Sequence, residues 1–426
     1  MEAGIEEKEM KVLVIGRGGR EHAVVKKLAR DSKVTEIFCA PGNDGMIEAT
    51  LVPIEETDVN ALANFAKKNQ IDLTIVGPEM ALMAGVVNKF NELDLPVFGP
   101  TKEAALIEGS KAFAKYMMSK YNIPTAAYGE FTQVEEALAY LETQSMPIVI
   151  KADGLAAGKG VVICQTLEEA NQTVKEMLLD RKFEDASSKV VIEEFLDGEE
   201  FSLMAFVSND IYKAMPIARD YKRAYDNDKG LNTGGMGNHS PHPLILDTDY
   251  EEAIQTVIEP MTKAMIEEGI PFTGILYAGL MKTANGIKVI EFNARFGDPE
   301  TEVLLPRLET ELTDIIFSLL DGKDIECVWS DQATVGVVLA AKGYPSSYVK
   351  GTVIEGLENL VDVDVCHMGT KLVDGKITLN GGRVLFVVGS GNTLEEARQK
   401  VYKEIQKINC DDLFYRTDIA KKATSC

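Results

Sequence analysis

Short apolar runs alternate with amphipathic segments over residues 11–100, and this alternation most constrains what the chain can fold into. The run KVLVIG at 11–16 has the length of a buried strand, and REHAVVKKLARD at 20–31 has helical spacing of its apolar residues. TEIFCAPG, DVNALANFAKKN, DLTIVGPE, AGVVNKFNEL and PVFGP repeat the pattern. Strands with helical crossovers form a parallel sheet covered by helices on both faces. We therefore predict an α/β, doubly wound N-terminal domain over residues 1–106.

Strand-like runs follow one another more closely after residue 106, which predicts two further domains, 107–320 and 321–426. The central runs are MPIVIKADG, GVVICQT, KVVIEEFL, EFSLMAFVS and IYKAMPIARD. The central part should also contain a hairpin with its turn at Asn285-Gly286 and helices over 248–268 and 299–319. The last part combines short strands with one clear helix, LEEARQKVYKEIQ, and is expected to be a small α+β domain.

Composition excludes several classes of protein. The net charge is −23, from 44 Lys and Arg against 67 Asp and Glu, and a nucleic-acid surface needs a basic footprint instead. No apolar run approaches ~18 residues, so we expect no membrane span. The six cysteines form no C-x-x-C pair, and the N-terminus has no apolar stretch typical of a secretory signal. We expect a cytoplasmic protein with reduced thiols.

The first glycine motif lies between the first predicted strand and helix, at Gly16-Arg17-Gly18-Gly19-Arg20-Glu21-His22. A helix N-terminus attracts anions, and glycines let the backbone approach them. Glu21 stands where a dinucleotide fingerprint needs its third glycine, so NAD is disfavoured. Arg17 and Arg20 favour a sugar phosphate, while a tight turn that binds nothing is the alternative. The candidate substrate-binding residues are Gly16, Gly18, Gly19 and Arg20.

A second glycine-rich loop spans Asp153 to Gly160 and follows Lys151. Its spacing does not fit a P-loop, and Gly160 stands where a P-loop has a hydroxyl for Mg²⁺. Such a loop between two strands can still fold over phosphates as a lid, or it is only a flexible hairpin. Lys151 ends an apolar run, so its ammonium should meet an anion or extend to water.

Glu291, Asn293 and Arg295 alternate along a predicted strand and should therefore share one face. A carboxylate and an amide oxygen are hard ligands that suit Mg²⁺, and a nearby arginine suits a phosphate that gains charge during transfer. The alternative is a solvated face with an ordinary ion pair. A further polar loop runs from Asp220 to Gly237, and a loop of about twenty residues is uncommon unless it is functional or disordered.

These motifs together resemble the glycinamide ribonucleotide synthetase family (phosphoribosylamine–glycine ligases) of the ATP-grasp superfamily. ArgPheGlyAspProGluThr at 295–301 is the most specific match, and the segments 16–22, 151–160 and 232–237 match in order and spacing. The resemblance covers residues from Met10 to about Ile419. It implies that the central domain is an ATP-grasp domain with a mobile lid subdomain at about 124–192.

The resemblance also implies an activity. The enzyme would ligate glycine to 5-phosphoribosylamine through glycyl phosphate, giving glycinamide ribonucleotide, ADP and phosphate in de novo purine biosynthesis. It would use ATP with Mg²⁺ (or Mn²⁺), and its partners would be these small molecules rather than nucleic acid or membrane. We expect a monomer.

Residue roles follow from the same resemblance. Lys111 and Lys151 would contact nucleotide phosphates, Glu193 and the Leu196 backbone the base, and Glu200 the ribose. The lid residues in contact with ATP would be Gly154, Gly158, Lys159 and Gly160. Glu291 and Asn293 would hold the metal, and Arg295 would face the transferring phosphate. Asp220 and Asp298 are candidates for the glycine ammonium. Gly18, Gly19 and Arg20 would take the phosphate of phosphoribosylamine, with Asn232, Thr233, Gly234 and Gly235 as further substrate contacts.

Two other functions remain open from the residues. One is another purine-pathway ATP-grasp enzyme, such as a carboxylase or a formate-dependent transformylase. The other is a nucleotide-binding regulator without turnover. Dependence of ATP hydrolysis on glycine separates the ligase from both.

Overall fold

The computed structural model describes residues 9–154 and 160–425, and its N-terminal part is the predicted parallel sheet. Residues of the first strand alternate between two cores: Leu13 and Ile15 pack in the core that includes Leu62, whereas Val12 and Val14 pack in the core that includes Val24. Helices therefore cover both faces, as a doubly wound sheet requires. The elements are β1 (Met10–Gly16), α1 (Gly19–Ala29), β2 (Val34–Pro41), β3 (Thr50–Leu51), α2 (Val59–Lys68), β4 (Leu73–Val76), α3 (Glu79–Met83), α4 (Val86–Glu92) and β5 (Val97–Phe98).

The strand order β3-β2-β1-β4-β5 places a topological switch at the carboxyl ends of β1 and β4. Open α/β sheets bind ligands at such a point. Gly16 ends β1 and Gly77 follows β4, so the first glycine motif opens onto this crevice.

A four-stranded antiparallel sheet with its own core follows in residues 128–194, in the order β6-β9-β7-β8. We call it the small-sheet unit. Two short helices, α5 (Leu106–Gly109) and α6 (Lys111–Lys120), precede it. The unit consists of β6 (Tyr128–Phe131), α7 (Val134–Glu142), β7 (Ile148–Ala152), β8 (Val161–Cys164), α8 (Leu167–Leu178), a 3₁₀ turn (Glu184–Ser188) and β9 (Val190–Glu194).

The second antiparallel sheet has the order β11-β10-β16-β17 and contains the predicted hairpin. The hairpin loop is Ala284-Asn285, and Gly286, with φ of +100°, opens the last strand. The predicted helix 248–268 is interrupted by a π turn. The predicted helix 299–319 is wrong as one element, because Pro306 has no backbone N–H to donate a helical hydrogen bond. The elements are β10 (Glu199–Ser208), β11 (Ile211–Ala214), α9 (Asp247–Ala253), the π turn (Ile254–Ile258), α10 (Glu259–Glu267), β16 (Thr273–Thr283), β17 (Gly286–Asn293), α11 (Glu300–Leu304), a 3₁₀ turn (Leu305–Arg307) and α12 (Leu312–Leu320).

The third sheet combines strands from two distant parts of the sequence, in the order β12-β15-β18-β22-β19 with β23 beside β18. Its first two strands lie at the two ends of the polar loop 220–237, and the loop between them contains two further short strands, which pair with each other. The strands of this sheet are β12 (Arg219–Asp220), β15 (Gly237–Ser240), β18 (Ala333–Ala341), β19 (Asp364–His367), β22 (Arg383–Gly391) and β23 (Leu413–Phe414). Two separate two-stranded sheets accompany it, one of β13 (Arg223–Tyr225) and β14 (Lys229–Asn232), the other of β20 (Thr370–Val373) and β21 (Lys376–Leu379). Helix α13 (Leu394–Ile405) and 3₁₀ turns at Asp226–Asp228, Leu357–Asn359 and Ala423–Ser425 complete this part of the chain.

Candidate active site

Strand β17 brings the predicted metal ligands to a point where positive side chains converge. Although burial acts to raise it, the pKa of Glu291 is lowered, because Lys222, Lys151 and Lys111 stabilise the ionised carboxylate. Arg295 contributes to the same effect. A chain with a strong net negative charge thus concentrates cations around one carboxylate, which creates a local site for a polyanion.

Asn293 and Arg295 both contact a carboxyl group that sequence reasoning missed, that of Glu108. In its hydrogen-bonded orientation the Asn293 amide nitrogen donates to Glu108 Oε1 at 3.0 Å, which turns the amide oxygen away from that carboxyl group. Arg295 Nη2 lies 2.8 Å from Glu108 Oε1, and Arg295 Nε donates to Glu79 Oε2 at 3.1 Å. Burial raises the pKa of Glu108 to about 7, whereas Arg295, against the effect of burial, lowers the pKa of Glu79 to about 2.

The small-sheet unit supplies Lys151, which is buried as its apolar run indicated. Lys151 Nζ lies 3.0 Å from Glu193 Oε2 and donates to the Ile290 carbonyl oxygen at 3.0 Å. Its anionic partner among the described residues is thus Glu193, the residue predicted to meet the base. Lys111 Nζ donates to the Gly154 carbonyl oxygen at 2.9 Å, and burial lowers its pKa.

A second buried lysine, Lys115, also pairs with Glu193. Lys115 Nζ lies 3.1 Å from Glu193 Oε1, and burial lowers the pKa of Lys115 to about 8. The sequence carried no signal for it, because one lysine within an amphipathic helix normally lies on the solvent face.

The remaining predicted nucleotide contacts surround this region. Gly160 accepts a hydrogen bond from the Ala152 amide at 2.8 Å, while Gly158 and Lys159 lie outside the described residues. Leu196 is half-buried in the turn after β9. Glu200 Oε2 lies 3.7 Å from Lys222 Nζ, and Glu200 is the main cause of the raised pKa of Lys222.

Carboxyl groups crowd around the first glycine motif. The Gly18 amide donates to Glu21 Oε2 at 3.1 Å, and Arg20 Nη2 donates to Glu21 Oε1 at 3.0 Å. A Cβ atom at Gly16, whose φ is +130°, would lie 2.2 Å from Glu21 Oε1. Glu21 therefore occupies the space that the glycine leaves, and this explains why a glutamate stands in place of the third fingerprint glycine.

Two more carboxyl groups approach the same turn, those of Asp298 in the 295–301 motif and of Glu302, the residue after that motif. A Cβ atom at Gly19 would lie 2.7 Å from Glu302 Oε1, and one at Gly18 would lie 3.6 Å from Asp298 Oδ2. Burial and Asp298 raise the pKa of Glu302 well above its ordinary value. Asp298 itself is paired with Arg383, whose Nη2 lies 3.2 Å from Asp298 Oδ1, and this pairing lowers the pKa of Asp298 against the effect of burial.

The 232–237 loop lies beside Asp220 and is held by Arg383. Arg383 Nη1 donates to the Gly234 carbonyl oxygen at 2.8 Å, and a Cβ atom at Gly235 would lie 2.7 Å from Asp220 Oδ1. The hydroxyl and the amide of Thr233 both donate to the Lys222 carbonyl oxygen, at 2.8 and 2.7 Å. Asn232 lies on β14, where it pairs with Arg223 on β13.

Asp220 has an oxygen without a partner. It is buried, and its Oδ1 has no hydrogen-bond partner among the residues that the structure describes. Burial and the nearby Glu300 raise the pKa of Asp220 well above its ordinary value. A buried carboxyl oxygen without a donor is costly, so this position fits a ligand that brings one. Asp226, by contrast, accepts a hydrogen bond from the Thr417 amide at 2.8 Å.

A parallel sheet followed by two antiparallel sheets, one carrying Lys151 and the other the strand with Glu291 and Asn293, defines an ATP-grasp ligase. Models of the phosphoribosylglycinamide synthetase N domain, ATP-grasp (A) domain and C domain match residues 10–108, 109–301 and 334–422, and the chain belongs to this family.

Relatives support the assignment over the full length. A phosphoribosylamine–glycine ligase of Halalkalibacterium halodurans is 55% identical over 416 residues, covering 97% of each chain. One of Listeria monocytogenes is 53% identical over 419 residues, covering 97% of this chain and all of that one. The crystal structure of the Thermotoga maritima phosphoribosylamine–glycine ligase has a TM-score of 0.86 at 35% identity, covering 96% of this chain and 100% of that one. The expected family, fold and enzyme class are thereby confirmed.

Other solved structures share the fold alone. The biotin carboxylase domain of a Hydrogenobacter thermophilus 2-oxoglutarate carboxylase, described with MgADP, has a TM-score of 0.73 at 15% identity.

Within the described segments, no helix is long and apolar enough to cross a membrane.

Proposed function

We propose that this site ligates glycine to 5-phosphoribosylamine in two ATP-driven steps. A glycine carboxylate oxygen attacks the γ-phosphorus of ATP, the bond to the ADP oxygen breaks, and glycyl phosphate forms. The amine of phosphoribosylamine then attacks the glycyl carbonyl carbon, phosphate leaves, and the nitrogen loses a proton. The observation that carries this proposal is that lysines cluster around Glu291 on β17, while Arg20 of the first glycine motif donates to the Phe296 carbonyl oxygen shortly after that strand.

The strand residues fit Mg²⁺ (or Mn²⁺). Glu291 has a lowered pKa and is therefore ionised, and the Asn293 amide oxygen faces away from Glu108. Among residues 9–154 and 160–425 no group of three or more His, Cys, Asp or Glu could hold a metal, which fits an ion held largely by phosphate oxygens and water. The bound metal would neutralise phosphate charge, and Glu291 and Asn293 would hold it.

The nucleotide would bind between the small-sheet unit and β17. Lys111 and Lys151 would contact its phosphates, with Gly154, Gly158, Lys159 and Gly160 covering them. The Leu196 backbone would meet the base together with Glu193, and Glu200 the ribose. Because the Glu193 carboxylate is already engaged by two lysines, we propose that its contact to the base is through the main chain.

Arg295 would stabilise the phosphate during transfer. Glu79 and Glu108 fix its guanidinium from two sides, so it is held in place before the reaction. Electrostatic stabilisation is strongest when the charged group is positioned in advance in this way.

Glycine would place its ammonium at Asp220, whose unpartnered oxygen needs a donor. Gly235 borders that position, because a Cβ atom there would lie 2.7 Å from Asp220 Oδ1, and Asn232, Thr233 and Gly234 would be further substrate contacts. Asp298 is the second candidate: its Oδ1 also has no hydrogen-bond partner among the described residues, but Arg383 lies 3.2 Å from it and balances its charge.

Phosphoribosylamine would bind at Gly16, Gly18 and Gly19. The expected contact of its phosphate with Gly18–Arg20 stays a prediction. In this structure the Arg20 guanidinium instead donates to Glu21 and to the Phe296 carbonyl oxygen. The surrounding carboxyl groups favour the amine and hydroxyl end of this sugar. We propose that Asp298 orients that end.

Several coarser features complete the proposal. The domain bounds are taken as 1–106, 107–320 and 321–426, with a lid over about 124–192 that closes on ATP. The enzyme would act as a cytoplasmic monomer. Its partners would be glycine, phosphoribosylamine and ATP, with no nucleic acid or membrane.

Substrate omission tests the reaction. Purified protein is given Mg-ATP, glycine and phosphoribosylamine made in situ, and ADP release is followed with each left out in turn. The ligase requires all three for steady ADP release. ADP release that ignores glycine would instead indicate another ATP-grasp enzyme, with a different carboxylate donor.

A further inference from the structure

We propose that Lys115 is a positioning residue for nucleotide binding, because it keeps Glu193 paired and so frees Lys151 to contact an ATP phosphate. The inference rests on the proposed phosphate contact of Lys151. It assigns a role to a lysine that no motif singles out.

The three side chains form a buried row with one carboxylate between two ammonium groups. Lys115 Nζ lies 3.1 Å from Glu193 Oε1, and Lys151 Nζ lies 3.0 Å from Glu193 Oε2. Relative exposures are 2% for Lys115 and 4% for both Glu193 and Lys151. Each lysine therefore holds a different oxygen of the same carboxylate.

The row is closed into a ring by the strand that carries the metal ligands. Lys115 Nζ donates to Thr125 Oγ1 at 2.7 Å, and Thr125 Oγ1 donates to the Val289 carbonyl oxygen at 2.8 Å. On the other side, Lys151 Nζ donates to the carbonyl oxygen of the next residue, Ile290. The ring joins α6 and the small-sheet unit to β17.

The charges explain why two lysines are needed. A buried carboxylate without a partner is costly, so a lone lysine beside Glu193 could not turn toward a phosphate without leaving that carboxylate unpaired. With Lys115 in place, Glu193 keeps one ion pair while Lys151 changes partner. Tyr128 also holds Lys115, because its ring centroid lies 5.3 Å from Lys115 Nζ.

Two variants test the inference by calorimetric titration of a non-hydrolysable ATP analogue with Mg²⁺. In Lys115→Met, Glu193 depends on Lys151 alone, so a phosphate must compete with Glu193 for Lys151, and we expect binding to weaken by about tenfold. In Lys115→Met with Glu193→Gln, no carboxylate retains Lys151, and binding should return to within about threefold of the wild type. A purely structural role of Lys115 does not predict this recovery.

Controls separate the inference from its premise. Lys282→Met removes an ion pair to Asp249 outside the ring and should leave analogue binding unchanged. If Lys151→Met leaves binding unchanged, the phosphate contact of Lys151 is wrong. If Lys151→Met weakens binding but Lys115→Met does not, the role of Lys115 alone is overturned.

The second part of the test is whether the double variant Lys115→Met with Glu193→Gln regains binding of the ATP analogue. Failure of the double variant to bind better than Lys115→Met would also overturn the proposal. If Lys115→Met does not fold, the double variant still decides, because it has lost one charge of each sign and is expected to fold. Binding more than about tenfold weaker than wild type would then contradict the inference.

Discussion

The two halves of the candidate active site are charged in opposite ways. In the ATP half, defined by Lys111, Lys115, Lys151 and Glu193, lysines crowd together and burial lowers the pKa values of Lys111 and Lys115. In the substrate half, defined by Glu21, Asp220, Asp298, Glu302 and Arg383, burial raises the pKa values of three of the four acids. The lysines of the ATP half thus favour phosphates, and the acids of the substrate half favour amines.

The largest effect is expected where the halves meet. Glu291→Gln removes the ionised metal ligand from the cation cluster, and we expect turnover with Mg²⁺ to fall by at least about 100-fold while the fold is retained. Steady-state ADP release and circular dichroism measure the two quantities. Normal turnover would show that the metal binds elsewhere and that Glu291 does not lie where the two halves meet.

The next effect should fall on the substrate half alone. Arg383→Met leaves Asp298 without its cation, and we expect kcat/KM for phosphoribosylamine to fall by about tenfold or more. The pKa of Asp298 should rise, so the acid limb of the kcat/KM profile should move to higher pH. Equal weakening of ATP and phosphoribosylamine binding would show that the halves are not separate.

A smaller effect is expected for glycine. Asp220→Asn keeps an acceptor but removes the charge, and the KM for glycine should rise by about tenfold with ATP affinity unchanged. Asp226→Asn is the matched control, because Asp226 is engaged by Thr417 and should spare glycine. The reverse result would move the ammonium site along the loop.

Proton exchange should have opposite signs in the two halves, and it is the smallest effect. Burial lowers the pKa of Lys115 to about 8, so at pH 8.5 part of the Lys115 population is neutral. The nearby charge of Lys151 also lowers this pKa, so when a phosphate binds Lys151 the pKa of Lys115 should rise, and the protein should take up a fraction of a proton. Ammonium binding at Asp220 should lower its raised pKa and so release protons over the pH range in which the free carboxyl group titrates. Calorimetry in buffers of different ionisation enthalpy measures both, and equal signs would contradict the comparison.

The sequence predicted the parts of the site that a single strand or turn places. Glu291 and Asn293 alternate on β17, and the glycine motif lies between a strand and a helix, so local spacing was sufficient for both. The predicted strand was too long, because β17 ends at Asn293 and Arg295 lies two residues beyond it. Family membership then confirmed the three-domain fold.

Other residues could not be found because their roles depend on contacts across the molecule. Glu108 acts only by meeting Asn293 and Arg295 from another element, and Lys115 only by meeting Glu193. Arg383 follows two glycines at the start of β22 and carries no local mark of its contact with Asp298. Two-residue strands such as β12 likewise have no period to detect.

The third sheet has a consequence for synthesis of the chain on the ribosome. Strands β12 and β15 leave the exit tunnel long before β18, the sheet partner of β15, has been translated. The loop that they bracket, with Asp220 on one side and Gly235 on the other, cannot be fixed until the last quarter of the chain arrives with Arg383. A nascent chain can therefore complete its parallel sheet early, yet it gains a fixed glycine pocket only when translation is nearly finished.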